Sequence, residues 1–126
     1  MLLGNKILVV DDTPAALRAT VRILQSAGFD VAQAVDGTEA LRQIRALRPR
    51  LVLLDVVLPD ISGLEVLRQI RADAELSEIG VVLLSARQIQ PDQQAAGLDA
   101  GAVGYIIRPV TNQEFLAHVR SQIRQL

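Results

Sequence analysis

Leu51-Val52-Leu53-Leu54-Asp55 is an almost unbroken apolar run that ends on an acid, and Ile7-Leu8-Val9-Val10-Asp11-Asp12 repeats the arrangement nearer the start. A short run that is apolar at every position, rather than at alternate ones, marks a strand covered on both faces, as in a parallel α/β sheet. Two such strands lying side by side in parallel would deliver Asp11, Asp12 and Asp55 to one sheet edge. Carboxylates gathered in this way raise one another's pKa unless a cation intervenes. An all-oxygen donor set of this kind suits a hard metal such as Mg2+.

Outward from these two runs, strand-like segments at Lys6–Asp11, Asp30–Val35, Leu51–Asp55, Gly80–Ser85 and Gly104–Ile107 alternate with helix-like ones. Such alternation builds parallel βα units, so the class is α/β with helices on both faces of the sheet. Val31-Ala32-Gln33-Ala34-Val35 is the weaker run and reads as an edge strand. Thr13 can cap the first helix, with Pro14 at its first position and Gly28 ending it in the left-handed conformation, which leaves Asp11 and Asp12 unneeded as caps. The spacings Asp36/Glu39, Ser62/Glu65 and Thr111/Glu114 mark three further helix starts, and Pro91 opens the remaining helix. In the last helix Phe115, Leu116, Val119, Ile123 and Leu126 share one face, with Arg120 and Arg124 pointing outward.

A chain of 126 residues that is half hydrophobic fits one compact domain, residues 1–126, and a second domain is not expected. No repeat, low-complexity stretch or linker interrupts it, so no effector segment is expected within it. The net charge of −1 and the few aromatic residues (Phe29, Tyr105, Phe115, no Trp) offer neither the basic field nor the stacking platforms of a nucleic-acid binder. The absence of cysteine removes disulfides and thiolate metal sites and is compatible with a reducing, cytoplasmic setting. The start, Met1 to Lys6, lacks a signal-peptide core, and no apolar run approaches the length of a membrane span, so a soluble chain is expected.

In an open parallel α/β sheet, ligands bind outside the carboxyl ends of the strands, near the point where strand order reverses. Asp11 and Asp12, Asp55, Ser85, and Arg108 followed by Pro109 all fall at such ends. As a set these segments resemble the response-regulator receiver domain, the family of the chemotaxis regulator. The resemblance rests on Val9-Val10-Asp11-Asp12, on Asp55 with Pro59 and Gly63 after it, on Leu84-Ser85-Ala86, and on Gly101-Ala102 through Tyr105 to Arg108-Pro109. It covers the chain from about Lys6 to the end; the motifs are specific together and weak singly.

The resemblance implies a doubly wound, flavodoxin-like (βα)5 domain with strand order 2-1-3-4-5. It further implies that Asp55 accepts a phosphoryl group from a phosphohistidine, carried by a sensor histidine kinase or a phosphotransfer protein. Asp11 and Asp12 would hold Mg2+ together with the Asp55 carboxylate and the backbone carbonyl of Val57. Ser85 would donate a hydrogen bond to a phosphoryl oxygen, beside the small Ala86, and Tyr105 would be the aromatic switch. The output would be altered affinity for an effector or output domain, or for a second copy through the fourth helix, fifth strand and last helix.

One residue departs from the family pattern: Arg108 stands where a lysine normally serves as the phosphate counterion. Its planar fork spreads the charge and does not automatically fit a site shaped for a compact ammonium. The chain's only lysine, Lys6, is at the wrong end of its strand to substitute. Arginine here is similar to a variant in receivers embedded in larger sensory proteins, which leaves a hybrid kinase or a multidomain regulator as the source. Arg108 also keeps open a pseudo-receiver, a binding module that does not switch by phosphorylation.

Taken singly, the same residues have plainer readings. Ser85 is a strand-end hydroxyl bonding local backbone, Arg108 a surface charge, and Tyr105 a partly buried ring at a sheet edge. His118 is a helix-surface residue with no second ligand at metal spacing. A Mg2+-dependent phosphatase with an aspartyl-phosphate intermediate would share the acids, but its nucleophile belongs in an Asp-x-Asp pattern on the first strand, and here Asp11 and Asp12 are adjacent.

Overall fold

Five strands, β1 (Lys6–Val10), β2 (Asp30–Ala34), β3 (Leu51–Asp55), β4 (Gly80–Ser85) and β5 (Gly104–Ile107), alternate with α1 (Pro14–Ser26), α2 (Gly37–Leu47), α3 (Gly63–Ala72), α4 (Pro91–Asp99) and α5 (Asn112–Gln125). The structure, a computed structural model, describes residues 6–85, 91–108 and 110–126. Ala86 and Pro109, both named above, lie outside the described residues. Every strand pairing is parallel and the order is β2-β1-β3-β4-β5. This is the flavodoxin-like arrangement, with the order reversing between β1 and β3.

Two-residue periodicity explains why the central strands are apolar throughout. Leu8, Val10, Val52, Leu54, Val81 and Leu83 pack on one face with Ala40 and Ile44 of α2 and Val66, Leu67 and Ile70 of α3. Ile7, Val9, Leu51, Leu53, Val82 and Leu84 pack on the other with Leu17 and Leu24 of α1 and Phe115 and Val119 of α5. Each fully buried Leu, Ile or Val contributes roughly 1.5–3 kcal/mol from removal of its surface from water. β2 is the thinner edge strand that its composition suggested, with Asp30 and Gln33 exposed.

The helix signals hold with two corrections at strand ends. The side chains of Asp36, Ser62 and Thr111 accept from the amides of Glu39, Glu65 and Glu114, Pro91 opens α4, and Gly28 closes α1 at φ +93°. β1 stops at Val10 and β2 at Ala34, each one residue short of its predicted end. At the first of these, Thr13 occupies the cap position but its side chain makes no cap hydrogen bond. The Thr13 N–H instead donates to Asp11 Oδ1 at 3.0 Å, so Asp11 turns the chain out of the ladder and into α1. Val35 leaves the ladder because Asp36 must reach the cap of α2. On α5, Phe115 and Val119 are buried while Arg120, Arg124 and His118 are exposed.

The loop after β3 is pinned from a distance. Asp60 Oδ1 accepts the Gly37 N–H at 2.8 Å, and Asp60 Oδ2 accepts the Thr38 N–H at 2.8 Å and the Thr38 hydroxyl at 2.6 Å. The acid thus closes the free amides of the first turn of α2, where the helix dipole also favours negative charge. The Thr38 hydroxyl first, then the amides of Gly37, Thr38 and Ile61, hold its carboxyl well below the usual range. Glu65 is likewise lowered, from 4.5 to about 2, by Arg68 and then Gln69.

Carboxyls with depressed folded-state pKa values stabilise above their unfolded-state pKa and lose that contribution as pH falls through the folded one. Urea midpoints should therefore decline from about pH 5 towards about pH 2. Asp60→Asn, which keeps an acceptor but removes the titrating charge, should flatten this decline. An identical decline in the variant would show that the Asp60 clamp is not its source.

Candidate functional site

The same local device ends β1 and β3. Asp11 Oδ1 receives the amide of Thr13, and Asp55 Oδ1 receives the amide of Val57 at 3.0 Å, each two residues downstream. Both acids are thereby oriented by their own chain at the carboxyl edge of the sheet. β1 and β3 are direct neighbours, with Val10 opposite Leu54, so the residues that follow them are brought together. One carboxylate oxygen from each of Asp11, Asp12 and Asp55 lies within 4.8 Å of the others. No other group of three such ligands occurs among the described residues.

Exposure is graded across the cluster: Asp11 is 2% exposed, Asp55 intermediate, and Asp12 open to solvent. Burial pushes the Asp55 carboxyl above its ordinary pKa, and the charges of Asp11 and Asp12 push the same way, against the Val57 amide and Arg108. Like charges held together by a folded scaffold and open on one side favour a cation between them. Hard oxygen donors at this spacing could hold Mg2+.

β4 and β5 bring the other expected residues to this edge. Ser85 closes β4 and is buried, and its carbonyl accepts the Arg108 N–H at 2.7 Å. The Arg108 guanidinium reaches back across the sheet edge: Nη1 donates to Asp11 Oδ2 at 3.3 Å and Nη2 to Thr20 Oγ1 of α1 at 3.2 Å. Tyr105, on β5 opposite Leu83, is half-buried against the core, and burial, then the Asp55 charge, raises its phenol pKa. Lys6 sits at the opposite sheet edge, paired with Asp30 at 3.0 Å.

Two residues escaped the sequence reading. Asp60 fixes the loop that carries Val57, yet its partners are 22 and 23 residues away and leave no local trace. Thr20 had a weak signal, a hydroxyl at helical spacing between the apolar Leu17 and Leu24.

An acid cluster at the reversal point of a five-stranded parallel sheet, with a strand-end serine and a strand-end cation beside it, defines a receiver-type domain. A profile of the response-regulator receiver domain matches residues 7–120, and the chain belongs to that family. It is 41% identical over 121 residues to the DNA-binding response regulator MtrA of Mycolicibacterium smegmatis, a match that covers 96% of this chain and 51% of that protein. The chain thus spans about half the length of such relatives. Its fold is similar to a CheY-like response regulator receiver domain protein from Methanospirillum hungatei, with TM-score 0.88, 28% identity, and coverage of 99% of this chain and 96% of that one. It is also similar to the BeF3-activated N-terminal receiver domain of Klebsiella pneumoniae RstA, with TM-score 0.88, 29% identity, and coverage of 95% and 99%. Among the described residues, no helix is long and apolar enough to cross a membrane.

Proposed function

We propose that residues 1–126 form a phosphoacceptor receiver domain of two-component signalling, acting in the cytoplasm, with Asp55 as the nucleophile. The observation that carries this reading is the convergence of Asp11, Asp12 and Asp55 within 4.8 Å at the carboxyl edge. In the reaction an Asp55 oxygen forms a bond to phosphorus as the bond from phosphorus to the histidine nitrogen of a kinase or phosphotransfer protein breaks. The nitrogen keeps the electron pair. The domain catalyses only its own phosphoryl transfer and loss.

Asp11, Asp12, the Asp55 carboxylate and the Val57 carbonyl are the ligands we assign to Mg2+. Bound there, Mg2+ would offset the charge that develops on the transferring group. The Val57 amide orients Asp55 by holding Oδ1, which leaves Oδ2 for attack. Ser85 offers its hydroxyl to a phosphoryl oxygen, and Arg108 supplies the counter-charge. Tyr105, whose ring feels the Asp55 charge, reports the change to β5. The phosphoryl group then biases a two-state equilibrium read by an effector, an output domain or a second copy through α4, β5 and α5. The near-neutral charge supports protein partners over direct nucleic-acid contact.

The test is intact mass and two-dimensional NMR with Mg2+, before and after a small-molecule phosphoryl donor or beryllofluoride, with Asp55→Asn as control. A phosphoryl adduct of the wild type that vanishes in Asp55→Asn, with shifts reaching Ser85, Tyr105 and α5, is the expected result. Shifts confined to the acids would mean chemistry without switching. No adduct would overturn the reading in favour of a binding module.

A further inference from the structure

Thr20 is an anomaly in the buried stripe of α1, whose other members are Leu17 and Leu24. It is 6% exposed, and a hydroxyl so buried needs partners. Its proton goes to the Ala16 carbonyl at 3.0 Å, which leaves the oxygen to accept, and it accepts from Arg108 Nη2. The two terminal nitrogens of one guanidinium are therefore divided between an acid at the end of β1 and a hydroxyl on α1. A lysine ammonium has no planar fork to orient, whereas an arginine with one partner can pivot about that contact. Space to pivot exists: Arg108 and Thr20 themselves line a cavity of about 220 Å³ between α1 and the start of α5, together with Ile23, Val110, Asn112 and Phe115.

We propose that Thr20 is a positioning residue for Arg108, the second anchor that fixes the planar head of the arginine beside Asp11 of the acid cluster and stops it pivoting into the α1/α5 cavity whose wall it forms. By this device the site works with arginine where a point cation would need no such support. The proposal rests on Arg108 being the counter-charge for the group on Asp55.

The test is a double-mutant cycle of Thr20→Val and Arg108→Lys, reading Mg2+-dependent beryllofluoride affinity by NMR titration. Thr20→Val should weaken affinity about three- to tenfold beside Arg108, the net size of one ordinary hydrogen bond, and less than about twofold beside lysine. Equal loss in both backgrounds would make Thr20 a packing residue and overturn the proposal, as would no loss in either. A second readout needs no phosphoryl mimic: Thr20→Val should lower the ¹⁵N order parameter of Arg108 Nε in the metal-free protein. An unchanged order parameter would also overturn the anchoring. If the wild type binds no beryllofluoride, the functional reading fails and this relaxation measurement alone decides the role of Thr20.

Discussion

Asp11→Ala is expected to weaken Mg2+ binding by on the order of a hundredfold in isothermal titration calorimetry, since loss of a partner behind a ligand already costs about ten- to hundredfold. Asp11 is the most enclosed of the three acids and the best oriented, with one oxygen on the Thr13 amide and the other on Arg108. Its removal leaves Asp12, which is exposed, and Asp55 to hold the ion, and it also leaves the Arg108 charge without its anionic partner. Asp30→Ala makes the control, because it removes an equal charge from the opposite sheet edge, where Asp30 pairs with Lys6. Equal Mg2+ affinity in the Asp11 and Asp30 variants would remove Asp11 from the ligand set.

Gly63→Ala should destabilise the fold by about 3 kcal/mol, the upper range for forcing one methyl into closed packing. A Cβ at Gly63 would overlap the Asp55 carbonyl oxygen and come within 2.9 Å of Val56 Cα. Neither atom can retreat, because Asp55 pairs with Leu84 of β4, and the Val56 amide and carbonyl bond to Leu84 and Gly63 respectively. Gly37→Ala is the informative comparison. There the overlap is with Ile61 Cγ1, a side-chain atom with other rotamers, and the loss should be nearer about 1 kcal/mol. Urea melts with unchanged slope give both values, and a Gly63→Ala midpoint equal to that of the wild type would contradict the close approach. The variant should also fail as a phosphoacceptor where it folds, because the methyl displaces the backbone that carries Asp55.

Much of the site was readable because its signals act over a few residues. Capping at Asp36, Ser62 and Thr111 spans three positions, and the strand runs that end on Asp11 and Asp55 are contiguous. The first cap was legible in position only: Thr13 stands at the cap before Pro14, but its hydroxyl takes no helix amide, while its own N–H goes to the buried Asp11. Asp60 was invisible for the opposite reason. An acid after Pro59 looks like any solvated loop residue until α2 is placed against it.

The sequence by itself determined which segments are strands and helices, which strand ends carry acids, and that a hydroxyl and a cation follow at later ends. Periodicity and capping are local, and parallel βα units send all strand ends to one edge. That β1 and β3 are neighbours within the order β2-β1-β3-β4-β5, and hence that the acids converge, did not follow from periodicity or capping; the resemblance implied it and the tertiary structure decided it. The tertiary structure also decided where Arg108 points. That choice depends on Asp11 and Thr20, 97 and 88 residues away, and a flexible side chain takes its direction from the partners that packing brings within reach.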